Sequence, residues 1–133
     1  MSVLPDAVAW RAAAACHGEV FATLSPGARI GLVARETPTS MLLWEAGDSG
    51  IEVRTAPFSG FSDSGADMLL AADAQSLVAI RAAADGQLFA VLRAGIRSGA
   101  IICYMLSRRC ELEAQGFEEL LDSLGFAFMG ACR

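Results

Sequence analysis

The sequence predicts an α+β domain, an antiparallel twisted sheet with flanking helices in the order α-β-β-β-α-β-β-α. Three observations predict it. Residues 28–55 hold three short stretches of alternating side chains separated by turn signals. Residues 87–106 hold two further runs that are apolar on both faces. Helical segments stand at both ends, the last with a clear apolar stripe. At 133 residues the chain is one domain, 1–133, long enough to bury a core.

Asp6 is the expected N-cap of the first helix and Gly18 its stop. Val8, Trp10 and an alanine run between them suit a helix. Leu4, Val8 and Ala15 lie on or near one face, and only Arg11 and His17 break the apolar surface. A helix apolar nearly all round is buried on more than one side or receives a partner. Pro26-Gly27 is a turn. Residues 28–35 form the first strand, with Ile30 and Leu32 opposite Arg29, Val33 and Arg35; Thr37-Pro38 breaks it. Residues 41–46 form the second, with Met41 and Leu43 opposite Leu42 and Trp44. A hairpin loop at 47–50 leads to the third, 51–55, where Ile51 and Val53 alternate with Glu52 and Arg54. Such a run of strands is an antiparallel meander. The stretch 57–64 is loop, in which exposed Phe58 and Phe61 would be unusual.

Residues 63–85 admit two readings. As a helix, Met68, Leu69, Ala72, Ser76, Ala79 and Ile80 align, with Asp63 or Ser64 as cap and Gly86 as stop. As a strand, 77–82 pairs with 88–93 across Asp85-Gly86, a favoured hairpin dipeptide. The alanine content favours the helix. Residues 87–94 and 100–106 then form two central strands around a turn at Arg97-Ser98-Gly99. The closing helix carries Phe117, Leu120, Leu121, Leu124 and Phe128 on one stripe. Glu111, Glu113, Glu118, Glu119 and Asp122 form its acidic start and solvated face.

The net charge is −5, and every basic residue is arginine. Such a chain suits neither nucleic acid nor anionic lipid, both of which need clustered positive charge. Arg108-Arg109 is the one basic pair and fits a solvated strand end. No signal peptide is expected, and the longest apolar run, 100–106, is far short of a membrane span. The mean hydropathy of +0.45 is high for a small domain. Either the surplus lies under a partner or second copy, or alanine inflates the index.

Chemistry is not expected. The four cysteines, Cys16, Cys103, Cys110 and Cys132, form no metal-binding spacing, and reduced buried thiols are expected. His17 follows Cys16, but adjacent helical residues point about 100° apart. A histidine near a helix end is the simpler account. The carboxylates form no facing acid–base pair, and a phosphate loop has no lysine to complete it. No metal and no cofactor are expected.

The element order and several stretches resemble the class I type III secretion chaperones, the Tir-chaperone-like family. Residues 67–80, running on to Asp85-Gly86, are similar to that family's second helix, an L-L-x-A-N-like segment followed by a Gly-containing turn. Ala71-Ala72-Asp73 stands where Ala-Asn is common. Strands at 88–93 and 101–107, then Cys110-Glu111-Leu112-Glu113 and the closing helix, resemble its paired strands, "L-x-L-x" exit and last helix. The resemblance implies a bacterial cytoplasmic homodimer without catalysis. Its client is the non-globular N-terminal segment of a secreted effector, held extended and secretion-competent. It implies effector contacts on the first helix and first three strands, at Val8, Trp10, Ile30, Leu32, Leu42 and Trp44. It also implies a dimer contact at Leu77, Ile80, Leu88 and Val91.

Two other readings stay open. A roadblock-like dimeric scaffold would have the order α-β-β-α-β-β-β-α, with a strand at 76–84 and a loop at 51–55. Helix or strand at 77–83 separates it from the chaperone reading. A small thiol enzyme would use Cys16.

Overall fold

The alanine run after Asp6 forms α1 (Ala7–Cys16), which buries Trp10, Ala13 and Ala14. It ends at His17, whose N–H donates to the Ala14 carbonyl at 3.1 Å. One further turn, α2 (Gly18–Phe21), buries Val20 and Phe21. The computed structural model describes residues 4–48, 50–83 and 85–126. Phe128 and Cys132 lie outside them.

The predicted meander forms as β1 (Arg29–Ala34), β2 (Ser40–Gly47) and β3 (Gly50–Pro57). Ile30 pairs with Trp44 and Leu32 with Leu42; Gly47 and Gly50 close the β2–β3 hairpin. The sheet continues on the other side of β1. There β4 (Met68–Ala72) runs parallel to β1, with Ile30 opposite Met68 and Leu32 opposite Leu70. Beyond it β5 (Ile101–Met105) pairs antiparallel to β4. The five-stranded order is β3-β2-β1-β4-β5. The sheet is therefore mixed, where an antiparallel one was expected.

A parallel β1–β4 pair needs a crossover, and residues 58–67 supply it. They cover the sheet face away from the helices. Phe58 packs there against the cluster of Val33, Met41, Leu43, Ala66, Leu69 and Ala71. Phe58 and Phe61 meet edge-on at 5.4 Å, and Phe61 reaches Tyr104 of β5 at 4.5 Å. With helices on the other face, β1, β2 and β4 are covered on both sides, which explains their nearly continuous apolar sequence.

The expected helix over 63–85 is divided. Met68–Ala72 is strand, because an apolar run between two partner strands gains both hydrogen-bond ladders. The helix, α3 (Ala74–Ala82), starts only after Asp73, whose carboxylate accepts from the Ser76 N–H at 2.7 Å. The strand expected at 87–94 is α4 (Leu88–Ser98), which buries Leu88, Phe89 and Leu92 on one face. Gly99 ends it with a φ of 87°. The expected strand at 100–106 is present as β5, at the sheet edge instead of its centre. The closing helix is two, α5 (Arg109–Ala114) and α6 (Glu118–Ser123), which pack Leu112, Phe117, Leu120, Leu121 and Leu124 into the main core. With α3 over 74–82 and β3 over 50–57, the roadblock-like element order is not that of this chain. Among the described residues, no helix is long and apolar enough to cross a membrane.

Gly116 joins α5 to α6 with a φ of 84°, and a Cβ there would run into the Thr23 carbonyl. Around it, Thr23 Oγ1 donates to the Gly116 carbonyl and the Ser25 N–H to the Gln115 carbonyl, each at 2.8 Å. This turn ties the end of the chain to the segment after α2. Gly116→Ala should cost about 2 kcal/mol or more. It would be read as a lower denaturant midpoint by circular dichroism; an unchanged midpoint would refute this fit.

Candidate functional site

Aromatic rings build the floor of the site. Trp10 of α1 lies on Trp44 of β2 with ring centroids 4.0 Å apart and planes 3° off parallel. The Trp44 Nε1–H donates to the Trp10 carbonyl at 2.9 Å, so one ring is both stacked and hydrogen-bonded. Phe21 of α2 meets Trp44 edge-on at 5.0 Å, and Phe89 of α4 lies 6.3 Å from it. The His17 ring stands edge-on to Phe89 at 4.6 Å. Four elements thus meet in one aromatic layer, each ring contact worth about 0.5–1.5 kcal/mol beyond the area it buries.

This layer corrects the expected effector contacts. Trp10, Ile30, Leu32, Leu42 and Trp44 are at most 2% exposed and belong to the main core. In this fold they cannot line a surface groove. Val8 alone of the six is outside, 70% exposed on α1. The expected dimer contacts fare similarly. Leu77, Ile80 and Leu88 are buried in the same core, and Val91 is half-buried against it. Large apolar side chains are what a small domain draws inward first, so their size marked core instead of contact.

The open space lies beside this layer. Between α1–α2 and the β2–β3 hairpin is a cleft of about 660 Å³. Its helical wall includes Ala14, Ala15, Gly18 and Ala22; its hairpin wall includes Ala46, Gly47, Gly50 and Ile51. Arg11, Asp48 and Glu52 bring the charges. The cleft exists because these side chains are small. Its volume is that of a small-molecule or side-chain pocket. Sequence reasoning missed these residues because alanine and glycine carry no chemical signal. The four-residue spacing of Ala14, Gly18 and Ala22 was the one available hint.

Two carboxylates, Glu45 and Asp67, hold parts of the fold together. Glu45 of β2 is nearly buried and lies 2.6 Å from Arg29 Nε and 2.9 Å from Arg54 Nε. The Arg29 hydrogen bond, aided by the charges of Arg29 and Arg54, outweighs burial and holds its carboxyl below the usual range. Asp67 accepts from the Arg29 N–H at 3.0 Å and from Ser107 Oγ at 2.9 Å, fastening the crossover to β1. Burial pushes the Cys103 thiol up to about 12. Cys16 is a free thiol but exposed, and Cys110 is disulfide-bonded, so the expectation of reduced buried thiols fails at both. No family model and no curated protein matches this chain.

Two outcomes follow. A carboxyl whose folded value is depressed adds stability above its ordinary value of 4.5, and that stability is lost as pH falls through the depressed value. Glu45→Gln should therefore lower stability at neutral pH by about 1 kcal/mol or more. It should also shrink the loss seen on acidification below 4.5. Parallel denaturation curves for both proteins across that range would refute this. Separately, a thiol reagent at neutral pH should modify Cys16 readily and leave Cys103 intact in the folded protein. Exposure alone explains that order, so fast labelling of Cys16 is no sign of a thiol enzyme; labelling of Cys103 at a similar rate would contradict its burial.

Proposed function

We propose that this chain is a binding protein without catalysis, which holds an extended apolar segment of a partner protein along β3 and in the adjoining cleft. The observation behind it is that β3 is the outer strand of the sheet, unpaired on one side among the described residues, and that it lines that cleft with Gly50, Ile51 and Glu52. An unpaired strand edge offers a row of backbone donors and acceptors to an incoming strand. Along β3, Ile51 and Val53 are half-buried while Glu52 and Arg54 are exposed. A segment added there would alternate in the same way, sending every second side chain toward α1 and the cleft. Its ordering entropy has to be met by apolar burial, and the alanine- and glycine-lined walls leave room for that.

This is the work of a secretion chaperone in the bacterial cytoplasm, with an effector's non-globular N-terminal segment as the occupant. The edge and the cleft support it. The expected helix-then-strand order over 67–93 does not, since strand, helix and helix stand there. A homodimer on this plan would use exposed apolar residues such as Met105 and Leu106 at the opposite sheet edge, because Leu77, Ile80 and Leu88 are committed to the core.

Ala15 is exposed and lines the cleft, so Ala15→Trp fills it without disturbing the core. A labelled peptide of alternating leucine and threonine should bind the native protein in fluorescence anisotropy. The variant, with an unchanged circular dichroism spectrum, should bind it about tenfold more weakly, roughly 1.4 kcal/mol. Equal binding by both proteins, or none by the native one, would refute the proposal.

A further inference from the structure

The charges of the β2–β3 hairpin are not balanced evenly. Glu45 is fully met: Arg29 Nε lies 2.6 Å from one of its oxygens and Arg54 Nε 2.9 Å from the other. Asp48 at the turn and Glu52 on the outer strand are both exposed. Among the described residues, neither has an ion-pair partner. Two unpaired carboxylates therefore stand at the hairpin end of β3, and both residues border the cleft.

The register of β3 says what such charges ask of an added strand. Ile51 and Val53 pack against the main core, while Glu52 lies opposite Glu45 in the ladder. Glu52 is thus on the sheet face away from the helices. A strand laid along the outer edge of β3 inherits this alternation. Its residue opposite Glu52 stands beside that carboxylate on the same face, where a cation is favoured and an anion repelled. Arg54, two residues further on, is already tied to Glu45 and gives no reason for a second cation there. At inward positions the apolar side chains of Ile51 and the cleft walls are the neighbours, and Arg11 on the helical wall opposes a cation. The net charge of −5 draws a basic segment in the same sense at longer range.

We propose that the segment received by β3 is amphipathic as a strand. Its apolar side chains turn to the cleft, and lysine or arginine occupies its outward positions at the hairpin end, opposite Glu52 and beside Asp48. This inference rests on the strand addition proposed above and adds the charge pattern of the partner. Exposed cross-strand pairs of opposite charge are modest, each worth a few-fold in affinity.

The peptide of alternating leucine and threonine is compared, on the full chain and at low salt, with a form whose two threonines at one end are replaced by lysine. Strand addition in either direction can bring that end to the hairpin. In fluorescence anisotropy the lysine form should bind about tenfold more tightly, and the preference should shrink at high salt. Asp48→Asn and Glu52→Gln, exposed and nearly isosteric changes, should each remove about threefold of it. Glu118→Gln alters the net charge equally but lies on α6, and should leave the preference intact. Equal binding of the two forms would overturn this inference and leave strand addition standing. So would a preference that falls as far in Glu118→Gln as in Glu52→Gln. Binding of neither form would overturn both.

Discussion

The Trp10–Trp44 stack is the contact on which the rest of this fold depends. It joins the first helix to the second strand through two large rings, and the Trp44 N–H locks their offset by bonding the Trp10 carbonyl. Phe21 and Phe89 then set α2 and α4 around Trp44. Truncating a buried tryptophan costs about 3–5 kcal/mol. A domain of this size is stable by only about 5–15 kcal/mol. Loss of either ring would therefore remove a large part of what keeps the helices on the sheet. The stack also determines where space is left. With α1 pinned by Trp10, Ala14 and Ala15 border the cleft toward β3, while Ala9 and Ala13 border a smaller cavity toward α3.

A second constraint comes from topology. The chain leaves the meander at one sheet edge and must re-enter beside β1, on the far side of β2. Residues 58–67 make that journey across the face without helices, which would otherwise be wet. Phe58 and Phe61 are thereby accounted for, as the cover of a smaller core. The same crossing puts Asp67 where it can receive the Arg29 N–H, and Arg29 in turn holds Glu45. One route across the sheet thus links an aromatic cover, a strand junction and a nearly buried carboxylate. None of these needs a catalytic purpose to explain it.

Where periodicity and punctuation agreed, the sequence was readable. Strands β1 to β3 alternate between clear turn signals, and they lie within a residue or two of their expected places. At 68–72 the pattern failed for a physical reason. A strand paired on both sides and covered on both faces has no alternation to display, and Met68–Ala72 merges into the alanine-rich α3. Only Asp73 marks the boundary, as a cap. In α4 the helical spacing of Leu88, Leu92 and Ile96 was present. Asp85-Gly86 and the short alternation after it suggested a hairpin more strongly. Tertiary packing resolved it: Gly95 allows α4 to lie directly on Ile101, an approach that any Cβ would block. The candidate site was less readable still. Trp10, Ile30, Leu32, Leu42 and Trp44 drew notice through size, and size is what buried them. The cleft is built of Ala14, Ala15, Gly18 and Ala22, whose contribution is the volume they do not fill.

That contrast also bears on the high mean hydropathy. Among the described residues, the large apolar side chains that stay exposed are Val8, Phe61, Val78, Met105 and Leu106. Only Met105 and Leu106 are neighbours in sequence. The other large apolar groups among the described residues lie mostly within or against two clusters. Among the described residues, alanine and a well-filled interior therefore account for most of the surplus, and the exposed large apolar side chains are scattered. A partner with a flat apolar surface finds little to cover here. The proposed partner would bring an extended backbone to the outer edge of β3 and side chains to the adjoining cleft. On the reading proposed above, recognition runs through backbone pairing and shape, and β3 rather than any buried tryptophan is the place to test it.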